Sequence, residues 1–91
     1  MSPTHATAAL PSLTLDVLPV NVVATIQGIR TATPDGVALK RRLMELGFVP
    51  GERVEVLRRV FIGKGPMAVR VGTSTFAMRT LESSLIEVVQ A

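Results

Sequence analysis

Residues 39–51 read LKRRLMELGFVPG, and this stretch indicates its own structure more clearly than any other part of the chain. Leu39, Leu43 and Leu46 recur at positions i, i+4 and i+7, so an α-helix would place all three on one face. Charged side chains fill most of the positions between them. The spacing predicts an amphipathic helix of about three turns whose leucine face packs against the rest of the domain.

The residues that follow the leucines predict how this helix ends. Gly47 suits the left-handed conformation that often follows a helix, and Phe48 falls where a contact back to Leu43 would complete a Schellman motif. Pro and Gly then occupy the two central positions of residues 49–52, which predicts a type II turn. We therefore expect a glycine stop followed at once by a reversal of the chain.

The segment before the helix predicts a strand and a turn. Residues 21–29 are rich in β-branched side chains, which favour a strand, and Gly28 within them indicates a bulge or a close backbone approach. Residues 33–36 predict a turn. Asp35 can accept hydrogen bonds from the first free N–H groups of a helix, so we expect the helix to begin just after it.

The N-terminal part of the chain predicts little regular structure. Residues 14–19 predict one short helical turn, capped by Thr14 and stopped by Pro19. Residues 1–13 are rich in Ala, Ser, Thr and Pro without periodicity, which is typical of a flexible tail. One domain, residues 14–91, would follow this tail.

The chain after the helix alternates between short strands and turns. Residues 53–61 alternate at first and lose their period at 57–59, which predicts a bulge or a sharp bend. The remaining predicted segments are a loop at 63–66, a hairpin of strands at 67–71 and 75–78, a helical turn at 79–84 and a final strand at 85–89.

These segments together predict a mainly β domain with one short α-helix. About five short strands, with the helix between the first and the second, fit best into a strongly bent sheet that closes on itself and removes its edges. The predicted architecture is a small SH3-like barrel. An open sheet with the helix on one face is the alternative.

The composition argues against catalysis and against an intrinsic cofactor. The chain has no Cys, and its one His, His5, lies in the predicted tail, so thiolate metal sites and histidine-based catalysis are not expected. The seven acidic residues are scattered, which leaves open only weak surface binding of a divalent metal. Ser83 and Ser84, near Glu82 and Glu87, lack a histidine base and are residue types that commonly cap turns. We predict that the chain is not an enzyme.

The sequence shows neither a secretory signal nor a membrane span, and this predicts where the protein is located. The first basic residue is Arg30, so no positively charged region precedes an apolar stretch as in a secretory signal. The apolar run at residues 13–29 is interrupted by polar residues, whereas a membrane span needs about 20 nearly uninterrupted apolar residues. The sequence predicts a cytoplasmic protein that does not itself span the membrane.

Basic residues supply the candidate binding surface. The formal charge is +3, which favours an acidic partner. Lys40 and Arg41 lie on the predicted wet face of the helix, and Arg58 and Arg59 lie at the predicted strand irregularity, where one of them departs from the normal alternation. We predict these four residues as a protein-binding surface. The alternative is that they only keep a small apolar domain soluble.

Two other kinds of association stay open. The positive charge is compatible with a nucleic-acid-binding barrel, although the chain has three Phe and no Tyr or Trp, whereas single-strand binders stack bases on aromatic faces. We therefore expect no nucleic acid partner. Weak self-association through sheet edges or exposed apolar patches is the second kind.

Residues 38–51, ALKRRLMELGFVPG, followed by VEVLRR at 54–59, resemble the FeoA family of ferrous-iron-transport accessory proteins. The loop at 63–66, the strand at 67–71 and the ending at 77–88 are similar to that family in type and spacing. The resemblance covers about residues 15–89. It implies an SH3-like barrel acting in the cytoplasm beside FeoB, the membrane protein with a GTPase domain that carries Fe²⁺ inward. Contact with FeoB, and its modulation, are the implied activity, with ferrous iron as the cargo of that partner.

The chain departs from the family pattern in two places. Residues 19–21, Pro-Val-Asn, replace the usual Pro-Gly-acid turn, and Ser83 with Ser84 replaces small alanine-like residues. A similar module is also appended to iron-dependent repressors of the DtxR type, so a stand-alone relative of that domain is the alternative within metal homeostasis. The chain has no space for a helix-turn-helix.

Overall fold

The computed structural model describes residues 12–31, 34–59 and 65–90, which form one antiparallel sheet with two α-helices and a 3₁₀ turn. The sheet has the strand order β1-β6-β2-β3-β4-β5. In chain order the elements are β1 (Ser12–Thr14), the 3₁₀ turn (Leu15–Val17), β2 (Val23–Ile29), α1 (Pro34–Leu46), β3 (Arg53–Arg59), β4 (Met67–Val71), β5 (Ser74–Met78), α2 (Thr80–Ser83) and β6 (Ile86–Gln90).

The strand count corrects the predicted architecture. The described residues form six strands and two α-helices rather than about five strands and one helix. Helix α1 lies between the second and third strands rather than between the first and second. The missed strand is β1, whose residues 12–14 pair with 87–89 of β6, so the predicted boundary between tail and domain falls inside it. A three-residue segment shows no alternation to detect, and only the exposed edge of β6 makes it a strand.

The sheet is open in the described part of the chain. Its two ends are β1 and β5, and no pairing joins them, so the predicted closure by strand pairing is not seen. Bulges bend the sheet instead. The register shifts between Ile26 and Gly28 of β2 and between Val56 and Arg58 of β3, and an extra residue on one strand increases local twist. Both bulges were predicted from the sequence.

The core lies on one side of this bent sheet and consists mainly of aliphatic side chains from β2, β3, β4 and β6. The only buried residue of β5 is Met78. Leu15 and Leu18 are fully buried, so the short 3₁₀ turn covers one end of the core. Phe48 is also fully buried and contacts Phe76, with ring centroids 5.7 Å apart. The predicted helical turn at 14–19 is therefore confirmed. Its predicted cap is not, because Thr14 makes no side-chain cap bond and its hydroxyl donates to the Asp16 carboxylate.

The end of α1 follows the sequence prediction. The Phe48 N–H donates to the Leu43 carbonyl at 3.0 Å and the Gly47 N–H to the Met44 carbonyl at 3.0 Å, which are the two bonds of a Schellman motif. Gly47 adopts φ +115°, a conformation that costs glycine little. The motif places Phe48 in the core directly below Leu43.

The turn after the helix is also confirmed. The Glu52 N–H donates to the Val49 carbonyl at 3.1 Å, and Gly51 adopts φ +94°, as a type II turn requires. The Gly51 N–H then donates to the carbonyl of Ile26 in β2 at 2.8 Å. The turn therefore joins the end of the helix segment to the sheet.

The start of α1 and one of its leucines differ from the prediction. The helix begins at Pro34, not after Asp35, because proline has the right φ for a first helical turn and loses no N–H that the helix would use. Leu43 is 2% exposed and Leu39 is half-buried, but Leu46 is 40% exposed. The leucine face therefore packs over its first two members only.

The C-terminal half matches its predicted elements. The hairpin of β4 and β5, the helical turn α2 and the last strand β6 are present. The first half of the predicted loop at 63–66 lies outside the described residues, within 60–64. Of the two alternatives predicted for Gly28, a bulge or a close backbone approach, the structure shows the bulge. A Cβ atom built there meets no atom within 4 Å, so the glycine belongs to the bulge alone.

Candidate partner-binding surface

Helix α1 forms a ridge with an apolar groove on each side. Leu39 and Leu43 face the sheet, and at 100° per residue Val37 and Met44 lie on the opposite side of the helix. Val37 is 55% exposed and Met44 is 39% exposed. The helix therefore carries a second apolar stripe that the rest of the described domain covers only in part.

The Met44 groove, as we name the cavity along this second stripe, has a volume of about 510 Å³. Its lining is predominantly apolar. Lys40 is half-buried beside the groove, and Arg41 is exposed. Both contribute their apolar stems to a wall while their charged ends can reach water. The lining residues are Val37, Lys40, Arg41, Met44, Glu45 and Val49.

This groove extends toward the sheet. A neighbouring cavity of about 270 Å³ shares Lys40 and Met44 with it and reaches the bulge of β2 at Gly28 and the type II turn at Pro50. The local structure explains the opening, because Gly28 has no side chain to fill it. The two cavities lie side by side along α1, and Lys40 and Met44 line both of them.

The second groove, on the leucine side, lies between α1 and the edge strand β5. Its volume is about 240 Å³, and Leu46 and Phe76 line its walls. Arg42 and Glu82 also line it, so it carries one charge of each sign. We name it the Leu46 groove.

The cations of the Met44 groove form no ion pair within the described part of the chain. Among the described residues the ion pairs join Arg30 to Glu87 at 2.8 Å and Arg70 to Glu55 at 3.2 Å. Glu87 lines the extension of the groove, so its charge is already compensated by Arg30. Lys40 and Arg41 are thus left as positive charge beside an apolar floor.

The other two predicted residues lie elsewhere and differ from each other. Arg58 is exposed at the bulge of β3. Arg59 is half-buried, and its Nη2 donates to the Leu18 carbonyl at 2.7 Å. Neither residue lines the Met44 groove or the Leu46 groove. The structure therefore does not bring the four predicted residues together, and it gives Arg59 a structural bond to the turn that covers the core.

The hydroxyls of the two candidate catalytic serines donate hydrogen bonds to nearby backbone carbonyls. Ser83 is fully buried, and its hydroxyl donates to the carbonyls of Arg79 at 3.2 Å and Thr80 at 3.1 Å. The Ser84 hydroxyl donates to the Leu81 carbonyl at 2.9 Å. Glu82 accepts a bond from the Arg79 N–H at 2.9 Å and so caps the first turn of α2. These hydrogen bonds stabilise α2.

The described residues show neither a metal cluster nor a spanning helix. Within residues 12–31, 34–59 and 65–90, no three His, Cys, Asp or Glu side chains are grouped so that they could hold a metal ion. No helix in the same ranges combines the length and the apolar character that crossing a membrane requires.

Comparison with known proteins places this fold. The family model of the FeoA domain matches residues 13–90. The chain belongs to the FeoA family. A zinc complex of FeoA from Stenotrophomonas maltophilia, described as a prokaryotic SH3 domain protein and a candidate activating factor of bacterial ferrous iron transport, is 36% identical, with a TM-score of 0.75 over 84% of this chain and 88% of that one. FeoA from Chlorobium tepidum is 32% identical, with a TM-score of 0.72 over 86% of this chain and 70% of that one.

Two further comparisons add less about the family of this chain. A manganese-dependent transcriptional repressor has a TM-score of 0.74 over 91% of this chain and 44% of its own, but at 23% identity it shows a shared fold alone. A search of curated protein sequences found no significant match. The assignment of an SH3-like fold thus rests on the likeness to FeoA structures. The sheet itself is open in the described residues.

Residues 19–21 depart from the FeoA family pattern but still form a turn. Asn21 adopts φ +68°, which asparagine tolerates better than most residues. The Val22 N–H donates to the Pro19 carbonyl at 3.3 Å, and the Asn21 N–H donates to the Val56 carbonyl at 2.8 Å. Asparagine therefore occupies the left-handed position, and the turn is fastened to β3.

Sequence reasoning missed the apolar residues of the Met44 groove. Val37 and Met44 are seven residues apart, a spacing that places them on one side of a helix. They were hidden by the leucine pattern, which accounts for the helix without them. Val49 follows the helix and could be assigned to the groove only when the Schellman turn had placed it there.

Proposed function

We propose that this FeoA-family protein is an accessory protein of ferrous iron transport that binds the cytoplasmic part of a FeoB-type membrane GTPase and modulates it by protein contact. Family membership supports the link to iron transport, as does the role suggested for the Stenotrophomonas maltophilia relative. Ferrous iron is the cargo of the partner in this proposal. The protein acts in the cytoplasm because that is where it meets the partner.

The observation that carries the proposal is the Met44 groove. An exposed apolar floor beside two cations that form no ion pair with any described residue is what a docking surface offers. The apolar area is available for burial, and the charges can select an acidic partner. Lys40 and Arg41 belong to this surface. Arg58, exposed at the bulge of β3, is proposed as a separate contact, and Arg59 supports it from the half-buried side.

No feature of the described residues specifically favours the nucleic-acid-binding alternative. Single-strand binding relies on exposed aromatic faces, but Phe48 is fully buried and Phe76 packs against it. The third phenylalanine, Phe61, lies outside the described residues. The likeness to a transcriptional repressor concerns the fold.

The test is a binding measurement between the full chain and the cytoplasmic GTPase domain of the transporter, for example by biolayer interferometry. We expect saturable binding that Arg41→Glu weakens at least tenfold. Arg53→Glu is the matched control, since Arg53 is exposed and lies on the sheet outside the Met44 groove. Ferrous iron uptake in a deletion strain, restored by the native chain and not by Arg41→Glu, would extend the result to the cell. No binding together with normal uptake in the deletion strain would refute the proposal.

A further inference from the structure

The shape of the Met44 groove limits what can occupy it. The groove of about 510 Å³ shares Lys40 and Met44 with the cavity of about 270 Å³ beside Gly28, so the two open next to each other along α1. Volumes of this order hold a few side chains, as in small-ligand sites. A short segment of another chain that lies along α1 can contact both openings.

The charges limit the chemistry of that segment. Lys40 and Arg41 form no ion pair among the described residues, whereas Glu87 at the far end is held by Arg30. Glu45, which also lines the groove, lies four residues after Arg41 on the same side of the helix. Positive charge is therefore concentrated near the start of the groove, where a carboxylate would be favoured.

The floor limits the side chain that the segment inserts. Val37 and Met44 present aliphatic and thioether groups, and methionine adapts its shape to different apolar partners. A polar group placed on this floor would lose its hydrogen bonds to water without replacement. The inserted residue is therefore aliphatic or aromatic.

We propose that the Met44 groove binds an acidic peptide segment of the transporter, in which one or two large apolar side chains enter the groove and neighbouring carboxylates contact Lys40 and Arg41. This inference rests on the proposed function and names the chemistry of the contact. A flat anionic membrane surface is disfavoured because Glu45, which lines the groove, would face the lipid headgroups.

The experiment uses fluorescein-labelled 15-residue peptides that overlap along the cytoplasmic GTPase domain and adjoining cytoplasmic segments of the transporter, with binding to the full chain followed by fluorescence anisotropy. We expect the bound peptides to share an apolar residue flanked by Asp or Glu. Replacing those acids by Asn or Gln should weaken binding at least tenfold, and raising the salt concentration should weaken the native peptide more than the amide peptide.

The matched variants are Met44→Glu and Leu46→Glu. The two residues lie on the same helix and are 39% and 40% exposed, but Met44 lines the Met44 groove and Leu46 lines the groove on the other side. We expect Met44→Glu to reduce peptide binding at least tenfold and Leu46→Glu to leave it within twofold. Equal thermal melting curves of both variants would show that folding is not the cause of the difference.

Each contrary outcome has its own meaning. If the GTPase domain binds but the bound peptides are not acidic, or if Met44→Glu binds normally, the inference is wrong and the proposed function stands. Binding to vesicles of phosphatidylserine and phosphatidylcholine that requires Lys40 and Arg41, without peptide binding, would assign the groove to a membrane and overturn the inference. If the domain does not bind at all, both proposals fail.

Discussion

The two sides of α1 carry similar apolar residues but make different use of them. On one side Leu43 is 2% exposed and lies above the fully buried Phe48. On the other side Val37 and Met44 remain 55% and 39% exposed. The difference teaches that an apolar stripe on a helix does not by itself indicate a core, because the sheet can cover only one side of a helix that lies along its rim.

The largest expected effect concerns the buried side. We expect Leu43→Ala to lower the free energy of unfolding by about 2–5 kcal/mol, since it leaves a cavity between α1 and the sheet. Met44→Ala is the matched control on the exposed side and should change stability by only about 0.5 kcal/mol. Urea denaturation of both variants measures the difference. Equal losses would show that the two sides are packed alike and would break the comparison.

The next effect concerns the glycine stop that places Phe48 under Leu43. Gly47 adopts φ +115°, and the Cβ atom of another residue is strained there, at a cost of roughly 1–2 kcal/mol. We expect Gly47→Ala to be destabilised by that amount, although Val71 Cγ1 at 3.8 Å leaves space for the methyl group. Circular dichroism during urea titration measures the effect. An unchanged midpoint would mean that the helix end tolerates another conformation.

Two neighbouring arginines of β3 also differ in whether they take part in the fold. Arg59→Ala removes the bond from Nη2 to the Leu18 carbonyl, and we expect it to cost about 1 kcal/mol. Arg58→Ala should change stability by less than about 0.5 kcal/mol, because Arg58 is exposed. Thermal unfolding of the two variants compares them directly. The reverse order would show that the Leu18 contact contributes nothing.

The smallest effect concerns the floor of the groove extension. A Cβ atom at Gly28 meets no atom within 4 Å, and its φ lies outside the left-handed region, so Gly28→Ala should be neutral or should stabilise the fold by about 0.5 kcal/mol through the unfolded state. Calorimetry measures this change. A clear loss of stability would mean that the bulge of β2 needs glycine, and Gly28 would then belong with the folding residues.

Local sequence signals predicted those parts of the fold whose causes are local. The glycine stop, the type II turn at 49–52, the hairpin of β4 and β5 and both bulges follow from residue types at fixed spacing, and each is present. The family resemblance rested on the same stretch and is confirmed by the match over residues 13–90. Part of the candidate surface was also accessible, since Lys40 and Arg41 lie on the side of α1 that faces away from the leucines.

Other features could not be read from the chain. Strand β1 exists because β6 offers it an edge. Leu46 remains 40% exposed because the groove between α1 and β5 leaves it partly uncovered. Both outcomes depend on partners that are distant in sequence. The separation of Arg58 from Arg59 is of the same kind, because adjacent arginines look equivalent until one of them reaches the carbonyl of Leu18.

The sequence by itself determined the helix of residues 39–46, its end at Gly47 and the family to which the chain belongs, because these depend on side-chain spacing and on backbone preferences within a few residues. Only the tertiary structure decided which apolar side of that helix is buried and which forms the Met44 groove. The physical reason is that burial depends on what the rest of the chain places opposite a residue, and the periodicity of a helix is the same on the side that packs and on the side that stays in water.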